Sequence, residues 1–509
     1  MSLSGLLDLV SAEPRLAATL EEAKESSHPG AELIAPAALR PFVVAALARI
    51  RPVLAVTATE REAEDLAAAL GSLMDESGVA VFPAWETLPH ERLSPRSDTV
   101  GRRLAVLRRL AHPVEGDPAA GPLRVVVAPV RAVLQPIVAG LGDLEPVRLR
   151  PGDEADLDEV VARLVDNGYH RVDMVERRGE VAVRGGLVDV FPPTEEHPLR
   201  MEFWGDTVEE IRWFKVADQR SLEVAPEGLF APPCRELPLT EEVRRRAREL
   251  AGEYPALKDV LDQIADGVPV EGMETFAPVL AGEMNLLLDH MPVRSAVVVC
   301  DPERIRGRAQ ELVRTAEEFK QASWITAALG GEAPIDLDAV AFRTLEEVHA
   351  HARELGRPWW SVAPFGDGVE LDVQGVDQYR GDTERALADI KGWLEAGKTV
   401  VLLSEGHGPA ERLVELLRGV DVPARLVPEV ADGPVRDVVQ VTTGRIAHGF
   451  VTPDVAVLTH LDVAGQKAST KDMRRLPSRR RNMVDPLQLK PGDYVVHEQH
   501  GVGRYVEMV

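Results

Sequence analysis

Cysteine is nearly missing from this 509-residue chain, which has only Cys234 and Cys300. Two thiols cannot build a disulfide framework or a cysteine-based zinc site, and they suit a reducing compartment. Aromatic residues make up 5%, too few for a platform that stacks unpaired bases. No apolar run reaches 18 residues, so no membrane-spanning helix is expected. The opening Met1-Ser2-Leu3-Ser4-Gly5 has no basic stretch and is soon followed by Asp8 and Glu13, which excludes a signal peptide. Positive charge is short as well. Lys and Arg number 58 against 83 Asp and Glu, a net charge of −25. Such a surface repels phosphate backbones, so any nucleic-acid contact needs a local basic patch. The histidines show no metal spacing: His407 and His448 stand alone, and His497 and His500 lie three apart in a loop or strand. No Ser/His/Asp arrangement emerges either. What remains is a cytoplasmic protein without a membrane partner, long enough for about three or four domains.

What the chain does contain is alternation. Residues 37–49 read as an apolar helix, 52–57 as a buried strand, and Thr59 with Glu62 as the capping start of a helix to about Met74. A strand at 79–82, a helix at 100–110 and a strand at 125–128 follow. Helices alternating with continuous apolar strands predict a doubly wound parallel sheet. From about residue 175 the texture turns to hairpins: Gly185-Gly186 separates two strands, and Gly205-Asp206 separates Arg200–Trp204 from 208–214. Helical patterns resume near Thr240, and 296–300 returns to a buried strand. A further α/β unit is expected over 337–464, with strands at 359–362, 399–403, 438–442 and 455–459. Residues 465–485 hold Lys467, Lys471, Arg474, Arg475, Arg479, Arg480 and Arg481 against Asp472 and the terminal Asp485, and read as a disordered linker. The last 24 residues open a new β element, and the chain is expected to stop inside that domain.

One literal Walker A match occurs, Gly392-Trp393-Leu394-Glu395-Ala396-Gly397-Lys398-Thr399. A working phosphate loop runs strand, loop, helix, so that a helix N-terminus faces the anion. Here a helix precedes and a strand follows, which turns the wrong end of the dipole to a phosphate and makes Gly392, Gly397, Lys398 and Thr399 a decoy. The first strand-to-helix turn, Ile34-Ala35-Pro36-Ala37-Ala38-Leu39-Arg40-Pro41, lacks the Gly, Lys and Ser/Thr that phosphates and Mg²⁺ require. Arg102, Arg103, Arg108 and Arg109 read as the solvated face of an amphipathic helix. Arg244, Arg245, Arg246 and Arg248 read as part of a salt-bridged one. In the hairpin region, Arg171, Arg177, Arg178, Arg184 and Arg200 surround strands with Phe191 nearby. That composition suits a protein interface or a solubilising face.

The block from Arg178 to Pro192, continued by Arg200–Asp206 and Asp218-Gln219-Arg220-Ser221, resembles the excision-repair protein UvrB and the bacterial transcription-repair coupling factors, the Mfd family. Phe82-Pro83-Ala84-Trp85-Glu86-Thr87-Leu88-Pro89 with Leu93-Ser94-Pro95 is closer to the coupling factors. Leu489–His497 with His500–Tyr505 resembles the start of their RNA polymerase-interacting domain. The resemblance implies six parts. A UvrB-like α/β domain has its first part at 1–134, carrying a degenerate nucleotide site, and its second at 236–330. A hairpin-rich, UvrA-binding α+β insert lies at 135–235. An α/β domain of unassigned role (337–464), a basic linker (465–485) and the start of a small β domain (486–509) complete the chain.

The resemblance further implies a factor that recognises RNA polymerase stalled at DNA lesions, releases it by ATP-driven translocation on double-stranded DNA and recruits UvrA for nucleotide excision repair. ATP and Mg²⁺ then belong to a motor beyond residue 509, and this chain has no catalytic residues; the alternative is an ATP-binding, UvrB-like helicase component that uses Lys398-Thr399 or another site. Arg178 and Arg184 match arginines of the UvrB pattern, Ala182 replaces one, and Arg171 and Phe191 join them as expected UvrA contacts. Where UvrB has a tyrosine-rich hairpin that wedges into DNA, Trp85–Asp98 holds one Trp and no Tyr.

Overall fold

Three apolar runs, Val53–Thr57, Val125–Pro129 and Ala296–Cys300, are buried at every position, as strands covered on both faces must be. A computed structural model describes residues 3–25, 29–88, 93–117, 119–329, 341–376, 379, 381–430, 433, 435–464, 494–497 and 501–504. In it these runs form the middle of a seven-stranded sheet in the order 369–370, 32–34, 359–363, 296–300, 53–57, 125–129, 79–81. Every ladder of that sheet is parallel. One face packs on helices Ser97–Ala111, Glu241–Glu253, Lys258–Ala265 and Pro302–Leu329. The other packs on Ser4–Ser11, Pro14–Glu22, Arg40–Ala48 and Glu60–Leu73. The last of these starts at Thr59, whose side chain accepts from Glu62 N. The expected apolar helix at 37–49 is a 3-10 turn, Ala37–Leu39, running into the helix Arg40–Ala48.

Two expectations need correction here. Strand Trp359–Ala363, read as part of a separate unit over 337–464, pairs with Glu32–Ile34 on one side and Ala296–Cys300 on the other. Helix Leu345–Glu354 likewise buries Val348 and Ala352 in the first sheet's core. Composition marks an apolar run as a strand but does not say which sheet it joins. Arg103, assigned to a solvated face, is 0% exposed. Its guanidinium forms hydrogen bonds to both oxygens of Glu236 and to Pro83 O, and lies 4.3 Å over the Phe82 ring. Trp85 Nε1 donates to the same Glu236 at 2.9 Å. Glu236 comes from the segment leaving the insert, so the partner that covers Arg103 is 133 residues away in sequence.

The insert is a six-stranded sheet ordered 221–224, 207–214, 199–204, 187–190, 180–184, 170–171. It is antiparallel except for its last pair. Val147–Leu149 and Leu229–Ala231 pair antiparallel, so the chain enters and leaves the insert side by side.

The second α/β sheet is ordered 374–375, 450–451, 455–459, 399–404, 439–443, 424–426, parallel over its last four strands. Its Val401, Leu403, Phe450, Val455 and Val457 join the same core as the N-terminal helices, and Phe450 meets Phe42 edge to face at 5.0 Å. Those helices are therefore held between two sheets. On the opposite face, helices Thr383–Glu395 and His407–Gly419 cover Val400, Leu402, Val439 and Val441. Buried Asp462 accepts from Gly449 N, Thr459 N and Thr459 Oγ1 at 2.8, 2.9 and 2.8 Å. The expected basic linker lies outside the described residues. Within 486–509, Tyr494–His497 and Gly501–Arg504 form an antiparallel pair.

Candidate protein-binding site

Alternation along the insert's strands sorts its residues onto two faces. Val181, Val188, Val190, Leu199, Met201 and Phe203 point into the core with helix Leu157–Asp166. The register places Ala182 beside Asp189, Asp189 beside Arg200, and Arg184 beside Leu187 on the opposite face. Half of that face is covered: Val175, Ala182, Phe191 and Phe214 form a small cluster, with Val172 and Val216 packed against it. The other half is open.

Charge on this face is arranged unevenly. Asp189 is 3% exposed, and Arg200 grips it with Nε and Nη2, each at 2.7 Å. That hydrogen bonding raises the Arg200 pKa, and the guanidinium lies 4.6 Å over the Phe214 ring. Arg184 comes only within 3.7 Å of the same carboxylate and keeps 47% of its side chain exposed. Because Arg200 occupies both oxygens of Asp189, the Arg184 fork is left to take another carboxylate.

The four expected contact residues thus have different settings. Arg184 and Arg171 are exposed, the latter in the short outer strand His170–Arg171. Arg178 is half-buried, donates to Glu195 O through Nε and Nη2 at 3.0 and 2.8 Å, and stacks 5.1 Å over Phe191. Phe191 itself is 6% exposed. Its ring stacks against Arg178, which leaves little of it open to a partner. Sequence reasoning passed over Asp189 and Trp204. An acid between two valines, opposite an arginine, was the available signal for the first. For the second it was a tryptophan ending an alternating strand before Gly205.

The nucleotide-like motif has a structural role. Helix Thr383–Glu395 ends at Ala396, Gly397 turns the chain at φ +74°, and strand Thr399–Ser404 follows. Lys398 Nζ donates to Thr452 O and Pro453 O at 2.7 and 2.5 Å. Thr399 Oγ1 accepts from Val435 N at 3.0 Å. At the first strand-to-helix turn, Arg40 pairs with Asp301 at 3.1 Å, both largely buried. Neither arrangement fits a nucleoside triphosphate: the lysine is engaged by carbonyls, and a guanidinium–carboxylate pair stands at the turn. Among the described residues, no group of three or more His, Cys, Asp or Glu is placed to hold a metal ion, and no helix is long and apolar enough to cross a membrane.

Residues 147–233 match the family model "UvrB interaction domain", which spans this sheet. Residues 489–509 match "CarD-like/TRCF RID domain". Transcription-repair-coupling factors of Mycobacterium tuberculosis and Mycobacterium bovis are each 46% identical over 531 aligned positions, taking in all of this chain and 43% of theirs. That of Bacillus subtilis is 25% identical, over 90% of this chain and 40% of its own. The chain spans under half the length of these curated relatives. With identity sustained end to end and both family models in place, the chain belongs to the transcription-repair-coupling factor family, as its N-terminal region.

Proposed function

We propose that this chain is the non-catalytic docking region of a transcription-repair coupling factor, and that its hairpin-rich insert recruits UvrA. The observation carrying this reading is the open half of the insert's outer face, where Arg184, only loosely paired with Asp189 at 3.7 Å, turns its fork to solvent inside the matched interaction domain. Arginine with a free planar fork binds a carboxylate bidentately and is over-represented among residues that dominate protein interfaces. The match at 489–509 supports a second docking element, directed at RNA polymerase. Translocation on double-stranded DNA, with its ATP and Mg²⁺, belongs in this reading to the part of the relatives that the chain does not span. Lys398 and Arg40 are engaged in ways that argue against a nucleotide here.

The test is a titration of UvrA onto the 509-residue chain without nucleotide, at two salt concentrations, beside R184A. Loss of a charge-assisted pair predicts about tenfold to a hundredfold weaker binding, and wild-type affinity falls with salt. A folded chain that ignores UvrA, or binds it regardless of Arg184 and salt, refutes the reading.

A further inference from the structure

Trp204 is 77% exposed. It closes strand Leu199–Trp204, and the alternation that buries Met201 and Phe203 turns it onto the same outer face as Arg184. The sheet's other outward aromatics are covered: Phe191 and Phe214 lie in the small cluster. The fold withholds cover from Trp204 alone among them. Beside it runs the turn Gly185-Gly186, held to its strand by Phe203 N donating to Gly186 O at 2.8 Å. A Cβ on Gly186 would come 2.9 Å from Phe203 O, so that position takes no side chain to screen the indole.

Distance and charge join Trp204 to the arginine. Arg184, Leu187 and Glu202 are successive neighbours across three strands, and Trp204 lies two residues beyond Glu202. Strand spacing of about 4.8 Å and a rise of about 3.4 Å per residue put Trp204 roughly 12 Å from Arg184 between Cα atoms. Both then fall within one standard patch of about 800 Å² per partner. Arg212 and Glu210 on the neighbouring strand satisfy each other.

We infer that Trp204 is the aromatic anchor of this face, working with Arg184 on an acidic protein surface. The complement is a carboxylate opposite Arg184, an apolar recess for the indole and a donor opposite exposed Glu202. A tryptophan contributes large rigid area at low entropic cost and dominates interfaces when it is central and desolvated on binding. The inference rests on the reading of this sheet as the UvrA-docking face, and adds the residue that supplies its apolar contact.

The experiment titrates UvrA onto the 509-residue chain carrying W204A, W204F or R184A, with thermal unfolding of each. The expected result is at least tenfold weaker binding for W204A, most of the affinity kept in W204F, and unchanged melting for both. Wild-type affinity in W204A with loss in R184A overturns the anchor and leaves the docking face standing. Melting that falls together with affinity in W204A assigns the indole to the fold and also overturns it. Absence of binding by the folded wild-type chain removes the UvrA reading itself, and the anchor with it.

Discussion

Replacing Glu236 by Ala leaves a guanidinium without its counter-charge in a fully buried site. Arg103 is 0% and Glu236 2% exposed, with Pro83 O the remaining acceptor. Removing one member of a buried pair costs about 3–5 kcal/mol, mostly from the charge left behind. Trp85 Nε1 also loses its acceptor, at 2.9 Å in the native structure. A loss of about 4 kcal/mol corresponds to roughly a thousandfold in the opening equilibrium. Hydrogen exchange reads it locally: amides around 82–86, 99–107 and 234–237 exchange up to about a thousandfold faster in E236A, and urea denaturation reports the accompanying stability loss. The double variant R103M/E236Q removes both charges while keeping an acceptor for Trp85, and recovers to within about 2 kcal/mol of wild type. The reasoning is refuted if E236A costs less than about 1 kcal/mol, or if the double variant is as unstable as the two single changes added together.

K398A removes an ammonium that bridges two carbonyls, one of them exposed, and lowers thermal stability by about 1 kcal/mol. Its affinity for a fluorescent ATP analogue stays at the wild-type level, and loss of nucleotide affinity with the lysine would reverse that assignment. His448 has a raised pKa because its ring hydrogen-bonds Asp462, against a partial desolvation penalty. Its stabilisation is fully present below the ordinary value of about 6.5 and is lost as pH rises through the higher folded value. H448Q therefore flattens the decline in stability above pH about 6.5, measured by urea denaturation across that range; an unchanged slope refutes the coupling.

How much of this was legible in the sequence depends on range. Val53–Thr57 and Ala296–Cys300 declare themselves because burial on both faces demands unbroken apolar runs, and Gly185-Gly186 declares a hairpin because few residue pairs make so tight a turn. The helix-then-strand order around Lys398 was legible without any structure. Trp359–Ala363 could be recognised as a strand but not assigned to its sheet, because parallel pairing carries no mark in composition. Arg103 looked like solvated charge because its partner arrives 133 residues later. At the candidate site, the arginines were legible as residue types. Their division into loosely paired Arg184, saturated Arg200 and stacked Arg178 was not, since register and the covering segment decide which fork is occupied.

Seven side chains of the second α/β layer, Val401, Leu403, Phe450, Val455 and Val457 on its strands with Val430 and Ile446 on its connecting segments, are buried in one core with the N-terminal helices. At about 1.5–3 kcal/mol for each fully buried apolar side chain, separating the sheets exposes surface worth roughly 10 kcal/mol or more. The two α/β layers thus act mechanically as one block. A pull applied through the basic segment that leaves Ala464 is transmitted across both layers instead of being absorbed at a joint between them. The insert, reached by the paired crossing strands Val147–Leu149 and Leu229–Ala231, is where such a pull can become reorientation.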